Sequence, residues 1–372
     1  MVLHTTPHQT PTQDDWEAYF DISRHGKLTL SSIELTTTYL CNMRCEHCAV
    51  GDILALKDPN PIAMDKLFAK LDEIPHLRTL SLTGGEPLFS KKSLEQVILP
   101  LLKYAKARDV RTQINSNLTM PFERYEAIAP YLDVLHISHN WGTPEDFIEG
   151  GFANMPTPPP VSVRRKQYDV MIENSRRLSE MGVFVSAETM LNKRTFSYIE
   201  EIHRQVVEEM KCSRHEVHPM YPVSFASNLD VLSLEETRQA ISRLLDVRDP
   251  SVWMLFGTLP FYACSSVQED IDLLKELRKQ PNVTMRNDPD GRSRLNINIF
   301  TGEVAVTDFG EAAKVGNLLE SSLPAIYNSW LETQTAQSMN CHCPAVSCLG
   351  PNLLVKDAYY PTVNFQNRKA RV

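Results

Sequence analysis

Apolar positions along this chain follow two periods in turn. Short alternating runs rich in β-branched residues read as strands, and stretches with apolar residues three and four apart read as helices. Strands are expected at 32–38, 77–82, 110–116, 134–138, 183–190 and 216–220. Between them, Met64, Leu67, Phe68 and Leu71 mark one helix face, and helices follow at 93–107 (bent at Pro100), 124–131 and 167–181. Ile199, Ile202 and Val206 mark another. Six strands alternating with helices imply a parallel sheet with right-handed crossovers, an α/β fold of partial (β/α)6 barrel form, whose chemistry lies at the C-terminal ends of its strands.

Outside this alternation the pattern changes. Residues 1–30 lack clear periodicity and read as an N-terminal arm. The connection 141–165 is unusually long, contains Gly150-Gly151 and Pro158-Pro159-Pro160, and follows strand four at the active face, so it is expected to touch substrate or exclude solvent. Beyond Tyr221, Ser233-Leu234-Glu235-Glu236 is a capping box opening a helix, and 267–277 is helical. Segments 295–300 and 303–306 flank Thr301-Gly302 as a hairpin, and a short helix spans 323–331. This divides the chain into the arm, a core at 31–230 and a smaller α+β unit at 231–372.

Composition narrows the classes. At 372 residues and 42% hydrophobic, the chain fills a real core. A net charge of −8 argues against a broad nucleic-acid surface. No apolar run is long enough for a bilayer and no basic-then-apolar leader opens the chain, so no membrane partner and a cytoplasmic location are expected. Eight cysteines are present, six of them in two tight groups, and in a cytosolic protein such grouping points to metal more than to disulfides.

The first group, Cys41, Cys45 and Cys48, directly follows strand one. Three thiolates on one loop hold three irons of a cubane and leave the fourth open for a bound molecule. Zinc is the alternative, but His47, between two of the cysteines, is badly placed to close a tetrahedron. Gly84-Gly85-Glu86-Pro87 follows strand two, at the same mouth. Paired glycines let backbone approach a ligand, and a carboxylate accepts from an ammonium group.

Together the C-x3-C-x2-C loop and Gly-Gly-Glu-Pro resemble the radical S-adenosylmethionine (SAM) superfamily over residues 30–230. The resemblance implies a [4Fe–4S] cluster on Cys41, Cys45 and Cys48, with the SAM amino and carboxylate groups on the open iron. Gly84, Gly85 and Glu86 would hold the amino group. Ser116 and Asn117, at the end of strand three, would be further SAM contacts. Ser138 and Glu188 would touch the ribose.

The second group is Cys341, Cys343 and Cys348. The order of hairpin, Val315-Gly316-Asn317-Leu318, short helix and cysteine loop resembles the SPASM or twitch extension, which carries an auxiliary [4Fe–4S] cluster. A cysteine usual after the hairpin is missing, because Val306 is followed by Thr307 and Asp308. Cys264 is the preferred fourth ligand and Asp308 the second candidate, while Cys212 reads as a small core residue. More narrowly, the chain looks like the YfkAB-type radical SAM/CxCxxxxC proteins. By resemblance, a donor such as flavodoxin or ferredoxin reduces the first cluster, SAM is cleaved to a 5′-deoxyadenosyl radical, and this abstracts a substrate hydrogen. The auxiliary cluster then accepts an electron in an oxidation or cross-linking of a peptide or protein. Oxidation of a small molecule is the alternative. A non-catalytic iron–sulfur electron carrier is a third reading, opposed by the intact Gly84-Gly85-Glu86.

Overall fold

The computed structural model describes residues 14–307, 309, 314–339, 341–368 and 370. The candidate ligand Asp308 lies outside them.

Among the described residues, eleven strands form one sheet. They are β1 (Ser32–Thr36), β2 (Thr79–Thr83), β3 (Arg111–Ser116), β4 (Val134–Ser138), β5 (Val185–Leu191), β6 (Arg214–Pro219), β7 (Trp253–Gly257), β8 (Val283–Arg286), β9 (Arg294–Asn298), β10 (Glu303–Ala305) and β11 (Lys314–Asn317). Their order is β11-β10-β9-β1-β2-β3-β4-β5-β6-β7-β8. From β1 to β8 every neighbouring pair is parallel, with helices on the crossovers. All six expected strands are present, and β7 and β8 extend the run. The segment Trp253-Met254-Leu255-Phe256-Gly257 is wholly buried, as a strand covered on both faces must be.

The expected hairpin forms between β9 and β10, but β9 also pairs in parallel with β1, Ile33 opposite Leu295. The C-terminal strands therefore continue the barrel sheet. Residues 287–293 join β8 to β9, and Asp288, Pro289 and Asp290 of this connection line the central cavity.

Local rules explain several elements. Ser233 and Glu236 form the expected capping box. Before Pro100 the helix widens to a π turn over Leu94–Ile98 and then continues as Leu99–Lys106, which accommodates the missing N–H without a break. The apolar core lies between sheet and outer helices, with Ile33, Leu35, Leu80, Leu82, Ile114 and Ile137 buried together.

Two expectations change. The arm is not irregular from residue 14 onward: it holds the helix Tyr19–His25, and Trp16 seals one end of the barrel. Trp16 packs with Val134, Phe184, Trp253 and Leu255, and its Nε1 donates to Ser81 Oγ at 2.9 Å. The connection 141–165 is not an open loop either, since it contains the helix Pro144–Gly150, capped by Thr143. Among the described residues, no helix is long and apolar enough to cross a membrane.

Candidate active site

The first cysteine loop leaves β1 at a turn fixed by Asp58, whose carboxylate accepts from Thr38 Oγ1 and Tyr39 N, both at 2.7 Å. The Gly84-Gly85 segment then lies directly on this turn. Gly85 N donates to Thr38 O at 2.9 Å and Glu86 N to Leu40 O at 2.7 Å. A Cβ on Gly84 would stand 2.3 Å from Thr38 O, and one on Gly85 2.2 Å from Leu40 O. Gly84 also has φ +124°. The close approach that requires glycine is thus to the backbone of the cysteine loop.

The other side of the loop rests on the 141–165 connection. Arg44 N donates to Gly151 O at 3.1 Å, Glu46 N to Gly150 O at 2.8 Å, and Asn154 Nδ2 to Cys45 O at 3.2 Å. Arg194 ties Glu46 to Asp146 at 2.9 and 3.1 Å. None of residues 141–165 lines the central cavity, and what they contact is the cysteine loop, which they support.

That cavity, of about 210 Å³, is lined by Cys41, Cys45 and Cys48, and by Gly84, Gly85, Ser116, Asn117, Ser138 and Glu188. Of the SAM-site residues expected from sequence, Glu86 alone is absent from its wall. Its buried carboxylate accepts from Leu88 N at 3.1 Å, Asn117 N at 2.7 Å and Ser116 Oγ at 3.0 Å. Burial pushes this carboxyl up to about 7 against those donors. Glu86 therefore joins the ends of β2 and β3. Asn117 in turn braces the loop, with Nδ2 donating to Asn42 Oδ1 at 2.9 Å. His47 Nε2 is engaged by Asn140 Nδ2 at 3.2 Å, and burial holds the ring neutral with its pKa down to about 4.

Below the thiols the cavity is charged. Glu188 Oε1 meets His218 Nε2 at 2.6 Å, Glu216 pairs with Arg286 and with Arg214 (3.3 Å), and Arg294 bridges Glu34 (3.0 Å) and Asp290 (2.7 Å). From the barrel's sealed end, Asp14 reaches Arg286 at 3.1 Å. Burial opposes ionisation of Glu188, but its neighbours His136, His218 and Arg286 outweigh it and hold its pKa well below the usual range. Ligand atoms of His136, Glu188 and Glu216 lie within 4.8 Å of one another. However, Gln113 Nε2 lies 3.0 Å from His136 Nδ1, which leaves Nε2 as the protonated nitrogen, and Glu216 is already engaged by two arginines. This is an ion-pair floor, not a metal cage. Sequence reading missed it, although charged residues inside otherwise apolar parallel strands, as in Val134-Leu135-His136-Ile137-Ser138, are its signal.

The C-terminal cysteines also converge. Cys264, Cys341, Cys343 and Cys348 line one cavity of about 380 Å³. Cys343 and Cys348 face each other across a small ladder, N to O at 2.9 and 3.2 Å, turned by Ser347 at φ +50°. Cys264, 77 residues before Cys341 in sequence, reaches the same cavity. Tyr221 lines the central cavity and packs in one cluster with Tyr262, Phe365, Cys264, Cys341 and Cys348, so one aromatic cluster reaches both cysteine sites. Cys212 is a core residue, hydrogen-bonded to Ser175 Oγ at 3.6 Å. No disulfide joins any of the eight cysteines.

Comparison with known proteins adds the family. The Radical SAM superfamily matches residues 35–206 and the YfkB-like domain residues 220–370. YfkA of Bacillus subtilis (strain 168) is 61% identical over 362 residues, 97% of each chain. The chain belongs to the radical SAM superfamily, as a YfkA-type protein. The family resemblance read from the sequence is borne out. Among solved structures, Streptococcus suis SuiB bound to S-adenosylmethionine matches with TM-score 0.61 and 15% identity, covering 90% of this chain and 76% of that one. The structure of anSMEcpe with bound AdoMet matches with TM-score 0.56 and 11% identity, covering 82% and 81%. These likenesses lie in the fold.

A YfkA-type radical SAM protein takes a [4Fe–4S] cluster and SAM, and the thiols here suit a cluster. Burial pushes Cys41 up to about 12 and Cys45 further, and the sulfurs of Cys41, Cys45 and Cys48 add to this by mutual repulsion. Thiolates so close in a buried site need a strongly cationic partner among them, which iron supplies. Burial likewise raises Cys264, Cys341 and Cys348, the last to about 11, and the C-terminal set is compatible with an auxiliary cluster.

Proposed function

We propose that Cys41, Cys45 and Cys48 hold the SAM-binding cluster, that Cys264, Cys341, Cys343 and Cys348 hold an auxiliary cluster, and that the chain oxidises or cross-links a peptide or protein substrate. The observation that carries this reading is the arrangement of the two sites. Three thiols and the Gly84-Gly85 backbone line one cavity, four thiols line another, and Tyr221 of the first wall packs in one apolar cluster with Cys264, Cys341 and Cys348 of the second. SAM bound at such a cluster supplies a 5′-deoxyadenosyl radical that abstracts hydrogen, and an auxiliary cluster supplies an electron acceptor.

The protein's own residues orient and shield. Gly84, Gly85, Ser116 and Asn117 form the wall nearest the thiols, and Ser138 and Glu188 the wall toward the floor, suited to the polar groups of SAM. The ion-pair floor of Glu188, His218, Glu216 and Arg286 provides fixed polarity on which a substrate group aligns. Peptide chemistry is supported by fold neighbours, SuiB bound to precursor peptide SuiA and anSMEcpe with the Cp18Cys peptide. A small-molecule substrate is the second reading, favoured by the use of residues 14–30 to seal the barrel, which leaves those residues forming no separate peptide-binding domain. A one-electron donor of flavodoxin or ferredoxin type completes the scheme.

The test is iron and sulfide content after anaerobic reconstitution, with SAM cleavage measured under reduction. About eight irons in the wild type, falling to about four in the Cys41/Cys45/Cys48→Ala variant with loss of SAM cleavage, is the expected result. About four irons falling to none would remove the auxiliary cluster and the electron-acceptor role with it.

A further inference from the structure

A buried cation without an ion-paired carboxylate among the described residues lies against the chain that follows the C-terminal cysteines. Arg292 is fully buried. One of its nitrogens, Nη2, donates to the carbonyls of Leu349, Gly350 and Pro351 at 2.9, 3.1 and 2.6 Å, so it grips the chain immediately after Cys348. Nη1 reaches Asp288 O at 3.4 Å, and Nε has no hydrogen-bond partner among the described residues. No described carboxylate lies within ion-pair distance of this guanidinium, in contrast to Arg286 and Arg294. The acidic groups that act on it more weakly, Asp288 and Glu17, are themselves pushed toward the neutral form by burial. A lone buried charge is costly, and such charges are normally paired or sit against metal centres.

A second cation faces the C-terminal cysteine cavity itself. Arg368 lines it beside Cys264, its guanidinium 5.3 Å from the Phe365 ring centroid, and it opposes the effect of burial on the Cys264 thiol. The segment carrying it is anchored, since Phe365 O lies 3.5 Å from Cys341 Sγ and Gln366 Nε2 donates to Gln337 O. Burial is the largest effect on Cys264, Cys341 and Cys348; Arg368 opposes it at Cys264 and Arg292 at Cys341 and Cys348.

The N-terminal thiols stand in a different field. Arg44 is the cation of their own loop and donates to Cys41 O and Met43 O there, while Arg286 and Arg294, which line the same cavity, are each paired with carboxylates. Glu86 acts on Cys41 and Glu46 on Cys45, each with the opposite sign to Arg44. Potentials of iron–sulfur centres follow local charge, hydrogen bonding and exposure, and a nearby cation favours the reduced, more negative state.

We infer that Arg292 and Arg368 are built-in counter-cations of an anionic thiolate centre at Cys264, Cys341, Cys343 and Cys348, and that they set its reduction potential above that of the N-terminal centre. This rests on the two-cluster reading proposed above and deepens it: the charge pattern makes the C-terminal centre the acceptor. Arg292 and Arg368 are positioning residues, acting through the centre and not on substrate.

The experiment is a redox titration of the reconstituted full-length protein followed by electron paramagnetic resonance, with added SAM identifying the N-terminal signal. The wild type should show the C-terminal centre reducing at the higher potential. Arg368→Gln should lower its reduction equilibrium about tenfold, about 59 mV for one electron, with the N-terminal potential and an iron content of about eight unchanged. Arg292→Gln should move it further in the same direction, and Arg292→Lys should keep it near the wild-type value. If Arg292→Gln does not fold, the Arg368 variant decides. An unmoved C-terminal potential at about eight irons, or a wild-type order with the C-terminal centre lower, overturns the inference and leaves the two-cluster reading standing. A wild type holding about four irons removes that reading itself.

Discussion

A methyl group on Gly85 would stand 2.2 Å from Leu40 O and 3.2 Å from Cys41 Cβ, so backbone on one side or the other must move. Gly85→Ala should cost about 1–3 kcal/mol, as overpacking of a rigid site does, and should displace the loop that holds Cys41. The expected outcome is a lower denaturation midpoint together with loss of the iron assigned to the first group of cysteines. Retention of full iron content would refute this account. A second residue-scale effect concerns His139, fully buried, its ring bonded to Gln205 Oε1 at 3.1 Å and its pKa brought down to about 4 by burial. A histidine depressed in the folded state is protonated first in the unfolded chain. Its contribution to stability is present above pH 6.5 and lost as pH falls toward 4, an effect of about 3 kcal/mol. His139→Gln should therefore flatten the fall in urea midpoint across that window relative to wild type, and parallel curves would rule the idea out.

Among the elements, the connection between β4 and β5 matters most. Its helix Pro144–Gly150 ends on Gly150 and Gly151, which accept hydrogen bonds from Glu46 N and Arg44 N in the cysteine loop. A Cβ on Gly151 would meet Met43 Cε at 2.6 Å and Phe147 O at 2.7 Å. Gly151→Ala should push the loop away from its support and speed iron loss to a chelator several-fold. Because the connection lines no part of the cavity, SAM affinity of protein that still holds iron should change little. A rise in the SAM dissociation constant with normal iron retention would assign this element to ligand contact instead.

For the whole molecule, the sealed end of the barrel is decisive. Trp16 is 3% exposed, and Asp14 beside it meets Arg286 beneath the charged floor. Trp16→Ala should cost about 3–5 kcal/mol in equilibrium unfolding, because a large buried ring and its contacts with Phe184 and Trp253 are lost together. A cost below about 1 kcal/mol would mean that the seal is dispensable.

The sequence determined the elements whose causes are local. Alternation and 3.6-residue spacing placed six parallel strands and their helices, Ser233 and Glu236 wrote a helix start, and cysteine spacing with Gly84-Gly85 marked the family and its cofactors. Residue type and short-range spacing suffice there, because strand, cap and turn are set by the chain's own neighbours. Tertiary structure decided what depends on distant partners. It joined β9 to β1, brought Cys264 to the cavity of Cys341, Cys343 and Cys348, turned Glu86 inward onto Ser116 and Asn117, and folded the supposed loop against the cysteines. It also assembled the floor of Glu188, His218, Glu216 and Arg286 from three strands, β5, β6 and β8, and set Arg292, without an ion-paired carboxylate among the described residues, against the chain after Cys348. Such ion pairs form between residues tens to hundreds of positions apart, and their strength depends on burial, which one chain's pattern does not encode.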